Sequence, residues 1–224
     1  MKIVTVTLNP AFDLHCYAEN FQPYHENLAR ITANDAGGKG INISRALTVN
    51  GIESTALVVL GDENRDDFRR ALTTDGISFH EITVEGRIRE NITLHTENAP
   101  ETRISFAGFG ANDALIDQVE AALCGLLDDD SILTFTGRNP EGVTMERVKA
   151  MLSKLRERGV KIVLDSRSFE KQDMIDVQPW LIKPNEEEIS TYTNIDVKDF
   201  ESAKQAAIAL REHGIENVMI SLGG

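Results

Sequence analysis

The sequence predicts an α/β fold: a mostly parallel central sheet covered on both faces by helices, with a small β-strand lid. Three observations carry that prediction. From Asn112 onward, short β-branched strands alternate with amphipathic helices, as in a series of βαβ units. Thr55-Ala-Leu-Val-Val-Leu60 is apolar almost throughout, as a strand buried on both faces must be. Two further extended runs, residues 87–96 and 102–107, are joined by the polar turn Glu97-Asn-Ala-Pro100 and read as a hairpin apart from that sheet.

In chain order, residues 2–8 are β-branched and apolar and stop at Asn9-Pro10, a strand delivered to a turn. Asp13 lies just beyond. Its carboxylate suits a sugar's hydroxyls and equally suits an Asx turn. Residues 14–34, with Tyr17, Phe21 and Tyr24 among polar positions, predict short strands outside the main sheet. Asp35-Ala-Gly-Gly-Lys-Gly40 then opens a helix with Ile43 and Leu47 four apart and Asn50-Gly51 as its stop. Glycines allow close backbone approach, the helix start offers unpaired N–H groups, and Lys39 adds a cation. This stretch reads equally as a cradle for an anionic or hydroxyl-rich small molecule and as a glycine-rich turn before an ordinary helix. It lacks the spacing of a Walker loop.

Residues 63–74 predict a helix and 79–84 a strand. The hairpin at 87–107 concentrates Arg87, Arg89 and Arg103. They fit an anion site, and they also fit a solvated edge strand protected by charge. Helices follow around Leu115–Leu126 and Val148–Leu155, with strands at 131–136 and 161–165. After a polar segment come a strand at 180–183, helices at 186–192 and 200–213, and a last strand at 217–221. Ligands of parallel sheets lie beyond the carboxyl ends of the strands, which puts residues 9–13, Asp165, 183–188 and 221–224 at one rim. There, Asn185 and Glu188 are three apart on one helical face. They could hold Mg²⁺ directly or through water, or simply make a sound helix N-terminus.

A net charge of −13 argues against nucleic acid or an anionic membrane as the main partner. Two distant cysteines, Cys16 and Cys124, make no ligand motif and fit a reducing compartment. No apolar run approaches a membrane span, and Asn9-Pro10 interrupts the start too early for a signal peptide. A cytoplasmic protein is expected.

Five stretches in order, Thr7-Leu-Asn-Pro-Ala-Phe-Asp13, Gly37-Gly-Lys-Gly-Ile-Asn42, Arg89-Glu-Asn91, Lys183-Pro-Asn-Glu-Glu-Glu188 and Ser221-Leu-Gly-Gly224, resemble the pfkB-type carbohydrate kinases of the ribokinase-like superfamily. The opening and the Arg-x-Asn of the hairpin are similar to the branch containing 1-phosphofructokinase and tagatose-6-phosphate kinase. The resemblance implies one ribokinase-like three-layer α/β sandwich over 1–224, with lid segments about 14–34 and 87–107. It implies ATP-dependent phosphorylation of a hexose phosphate, fructose 1-phosphate first and tagatose 6-phosphate second, with ATP and Mg²⁺ as cofactors. Asp13, Gly38 and Asn42 would meet the sugar, and Lys39 and Arg89 a phosphate already on it. Lys183, Ser221, Gly223 and Gly224 would meet ATP, and Asn185 and Glu188 the metal. A homodimer through the lid is implied as well.

There are departures from the pattern. Gly137-Arg-Asn-Pro140 stands where the family commonly has Gly-Ser-Leu-Pro, which leaves the choice of hexose open. The family's Gly-Ala-Gly-Asp motif, with its catalytic Asp and anion hole, does not occur in 1–224. The chain therefore reads as C-terminally incomplete and inactive by itself, and a catalytically inactive sugar-phosphate binder is the alternative.

Overall fold

A computed structural model describes residues 1–222 of the chain; Gly223 and Gly224, expected at the nucleotide site, lie outside the described residues. The main sheet has seven parallel strands. At its centre β1 (Ile3–Thr7) lies between β8 (Ile132–Thr136) and β4 (Thr55–Gly61), with Thr7 opposite both Thr136 and Val58. Beyond β4, β5 (Phe79–Val84) forms one edge; on the other side β9 (Lys161–Asp165) and β10 (Leu181–Ile182) lead to β11 (Asn217–Val218) at the opposite edge. All residues of β4 after Thr55 are buried. Alternate residues Ala56, Val58 and Leu60 join one apolar cluster, while Leu57 and Val59 join another. That two-sided burial is why the strand is a continuous apolar run.

The first cluster includes Ile41 of α1 (Lys39–Val49) and Phe68 and Leu72 of α2 (Arg65–Thr74). The second is larger and gathers apolar faces of α3 (Asp113–Leu126) and α4 (Met145–Glu157) with residues of three later helices. These are α5 (Lys171–Val177), α6 (Glu186–Thr193) and α7 (Phe200–Arg211).

A second sheet of four strands stands apart. Its order is β3 (Arg30–Gly37), β2 (Ala11–Ala18), β6 (Arg89–Thr96), β7 (Thr102–Ser105), with β2 and β6 parallel and the outer pairs antiparallel. It is rooted on the main domain through Phe12, whose ring meets Phe68 edge-on at 5.0 Å between centroids.

Three expectations change. Residues 35–37, read as loop, continue β3, so Gly38 alone links that strand to α1. Pairing with β2 claims these residues: Asp35 lies opposite Asp13 and Gly37 opposite Ala11. The polar segment before Trp180 contains α5, a short helix whose capping box joins Glu170 and Asp173. Seven residues give too little apolar periodicity to be recognised from pattern. The last strand ends at Val218 rather than Ser221, because its one neighbour, β10, offers only Leu181 and Ile182 to pair with; Ser221 returns as an isolated bridge to Asn185.

Candidate functional site

The site lies at the carboxyl ends of the main strands, partly beneath the second sheet. Close packing builds its floor. A Cβ on Gly37 would overlap Asp13 Oδ2, and one on Gly40 would lie 2.5 Å from Thr7 Oγ1. Gly38, at φ 139°, occupies backbone space that an L side chain rarely adopts. No side chain caps α1 and no acidic residue sits in its first turn, so its positive end is left for a ligand.

At one end of this rim Asp13 accepts a hydrogen bond from Asn91 Nδ2 at 2.9 Å. Arg89 reaches back from β6 to the Asn9 carbonyl, with Nη2 at 3.4 Å. Burial, then the positive charge of Arg138, pulls the Arg89 guanidinium below its ordinary pKa, while Asp13 opposes the shift. Several buried polar atoms here have no partner among the described residues: Thr7 Oγ1, Asn9 Oδ1, Arg89 Nε, Asn91 Oδ1 and Asn139 Oδ1. Buried polar atoms are ordinarily hydrogen-bonded, so such a gathering sets this rim apart from the apolar core. Asn42, on the first turn of α1, instead accepts from Arg45 Nη1 at 2.6 Å.

Asp165, at the end of β9, joins this end to the other. It accepts from Lys39 Nζ at 2.6 Å and lies 3.8 Å from Lys183 Nζ. Sequence reading placed Asp165 at the rim but gave it no role, since residues 126 positions apart carry no mutual signal. Asn185 caps α6: its Oδ1 accepts from the Glu188 amide at 2.8 Å and its own amide donates to Glu188 Oε2 at 3.0 Å. The other Glu188 oxygen lies 3.4 Å from Arg167 Nε. Ser221 donates its amide to the Pro184 carbonyl at 3.2 Å, which sets it beside Lys183 and Asn185.

Asp165 and Glu188 also flank Tyr192, whose hydroxyl is pushed up to about 12, first by burial and then by these two carboxylates. No group of three or more metal-binding side chains occurs among the described residues. Two carboxylates are nevertheless what a nucleotide-bound Mg²⁺ ordinarily takes from protein, the remaining positions going to phosphate and water. The donor set fits such an ion and does not fit a protein-only cage.

The geometry thus offers a hydroxyl-and-anion site under the second sheet and a lysine–carboxylate site toward β10 and β11. A family model for the pfkB family carbohydrate kinases matches residues 4–224. The chain belongs to the pfkB family of carbohydrate kinases. It is 31% identical over 222 residues to the 1-phosphofructokinase of Vibrio cholerae serotype O1, covering 99% of this chain and 70% of that protein. It is 32% identical to the 1-phosphofructokinase of Escherichia coli strain K12, covering 99% and 71%. Among solved structures, phosphofructokinase-2 from Escherichia coli in complex with fructose-6-phosphate superposes with a TM-score of 0.90 at 23% identity, over 99% of this chain and 74% of that one. That likeness establishes the ribokinase-like α/β fold of this pfkB chain. ATP and a divalent metal ion are the cofactors that membership implies. No helix among the described residues is long and apolar enough to cross a membrane.

Proposed function

We propose that this pfkB chain supports ATP-dependent phosphorylation of a hexose phosphate, with fructose 1-phosphate converted to fructose 1,6-bisphosphate. The observation that carries this reading is the meeting of Asp13, Asn91 and Arg89 at the end of β1, a carboxylate and an amide beside a cation. The whole-chain relatedness to 1-phosphofructokinases favours fructose 1-phosphate over tagatose 6-phosphate.

In this reading Asp13 and Asn91 receive sugar hydroxyls, and Asn42 does so once Arg45 releases it. Arg89 takes the phosphate already on the sugar, its planar fork matching phosphate oxygens. Lys39 and Lys183, held apart by Asp165, neutralise phosphoryl oxygens of ATP or sugar as they arrive. Asp165 and Glu188 would hold Mg²⁺, which when bound would offset negative charge on the nucleotide phosphates. Phosphoryl transfer demands mainly positioning and charge stabilisation, and these groups provide both. The rim carboxylates are already engaged by Asn91, by the two lysines, and by Arg167 with the α6 cap. We assign none of them as the base for the attacking hydroxyl. The second sheet acts as a lid. Its exposed Ile31, Ile104 and Phe106 suit a second copy of the chain, a dimer that sedimentation at micromolar concentration tests.

The function is tested by ADP release with ATP, Mg²⁺ and each hexose phosphate, on the protein that carries this chain. Fructose 1-phosphate is expected to give the highest kcat/KM. Arg89→Ala is expected to weaken that sugar by about one to two decades, the worth of a charge-assisted contact, and to leave ATP affinity intact. Equal losses for sugar and nucleotide would remove Arg89 from the sugar site.

A further inference from the structure

Most arginines of this acidic chain lie against carboxylates: Arg45 on Asp75, Arg147 on Asp117 and Glu120, Arg167 on Glu188. Arg138 makes no ion pair among the described residues and is exposed at the rim. Its placement follows from strand register. Thr136, the last residue of β8, lies opposite Thr7, the last of β1, so the turn that carries Arg138 starts at the same rim as Asn9, whose carbonyl Arg89 touches, and the Arg138 charge is felt at Arg89. Gly137, at φ 85°, turns the chain there, and Ser166 Oγ fixes the turn by donating to the Gly137 carbonyl at 2.5 Å. Ser168 Oγ accepts from the Asn139 amide at 3.2 Å and secures the far side. Two arginines therefore approach the end of β1, Arg89 from the second sheet and Arg138 from a turn braced by the segment after β9.

We propose that Arg138 is a second phosphate-gripping guanidinium of the sugar site, so that Arg89 and Arg138 clamp the phosphate already on the hexose from two sides. This rests on the kinase reading above and names what selects its substrate. Like charges placed together raise the energy of the empty site, and an anion relieves them. A phosphate monoester carries close to two negative charges at neutral pH, whereas an unphosphorylated sugar carries none. Lys39 and Lys183 are further cations of the rim, but Asp165 lies against both on the β9 side. The consequence is discrimination: the pair rewards a phosphorylated hexose and leaves the nucleotide end, at β10 and β11, unaffected.

The test compares the natural protein with Arg138→Ser and Arg138→Lys by calorimetry. The probes are fructose 1-phosphate, fructose, inorganic phosphate and ATP. Arg138 is exposed, so both variants are expected to melt as the natural protein does, and unliganded melting curves check this. The proposal expects Arg138→Ser to lose about tenfold to a hundredfold in affinity for fructose 1-phosphate and to weaken inorganic phosphate. Fructose and ATP affinities stay unchanged, and Arg138→Lys recovers part of the loss, because a point charge replaces a fork. An unchanged affinity for fructose 1-phosphate overturns the proposal. So does a loss that falls equally on fructose, or one that falls on ATP. Activity separates this from the broader reading. If no hexose phosphate is phosphorylated yet Arg138→Ser still weakens phosphate, the anion clamp stands and the kinase reading falls. If turnover is intact and the variant binds fructose 1-phosphate normally, only the clamp falls.

Discussion

The two sheets of this molecule are held together by different physics. In the seven-stranded sheet the central strands are buried on both faces, and Val6, Ala56, Leu57, Val58, Val59 and Leu60 have no exposed surface. In the lid, every residue of β7 is exposed and β3 buries only Ala36 and Gly37, where it meets the main domain. What holds the lid is backbone pairing over the full length of β2 and β6, with polar contacts across it. His15 Nδ1 and His95 Nε2 lie 3.2 Å apart, and Tyr17 donates to Glu97 at 2.7 Å. The main domain folds by removing apolar surface from water, whereas the second sheet leaves much of its surface exposed. The proposed substrate site lies at their junction.

The sharpest test of this contrast is a matched pair of truncations. Leu57→Ala, in the fully buried strand, is expected to destabilise the protein by about 2–5 kcal/mol. Ile104→Ala, at an exposed lid position, is expected to stay within about 0.5 kcal/mol. Urea denaturation measures both, and comparable losses would mean the lid has a core of its own.

Gly37→Ala probes the junction. Its Cβ would overlap Asp13 Oδ2, so the carboxylate must move. Displacing a positioning group by about 1 Å costs on the order of 10²-fold in kcat/KM. The loss is expected in sugar kinetics, with thermal stability only slightly lowered; a variant with native kinetics would show that Asp13 does not have to sit where β3 places it.

The smallest effect is a pH effect, and it too separates the two regions. The Tyr192 hydroxyl is raised to about 12 by burial and by Glu188 and Asp165, above the value near 10 of an unfolded tyrosine. The folded state therefore binds the proton more tightly. That contribution is complete below about pH 10 and is lost as pH rises toward about 12. Tyr17 on the second sheet is also raised, first by its hydrogen bond to Glu97, yet it lies at the half-exposed edge of the molecule where water screens that contact. Urea midpoints between pH 9 and 12 are expected to fall more steeply for the natural protein than for Tyr192→Phe, and Tyr17→Phe is expected to track the natural protein. Parallel curves for the natural protein and Tyr192→Phe would place Tyr192 in a wetter environment than the structure gives it.

Much of the molecule was legible in order along the chain. The continuous apolar run of β4 announced two-sided burial, and the Gly-Gly-Lys-Gly stretch announced a close approach that Thr7 and Asp13 now explain. Asn185 and Glu188, three apart, form the capping box their spacing allows, and Glu188 faces Tyr192 and Asp165 as well. The capping reading of that pair is the one these bonds show; the metal reading stays a proposal. The short α5 and the limits of β3 and β11 were not legible, since each is decided by neighbours rather than by its own residues.

By itself the sequence determined the elements and the family motifs, because strand propensity, helix caps and glycine requirements act over a few residues. Only the tertiary structure decided which charges meet. Lys39 and Asp165 are 126 positions apart, and Arg89 belongs to the second sheet whereas Arg138 follows β8 of the main one. Such meetings are set by strand order and register, with Thr7 opposite Thr136 bringing Arg138 to the end of β1. No local preference records them, because electrostatic energy depends on distance in space, and chain separation says little about that distance once strands cross over.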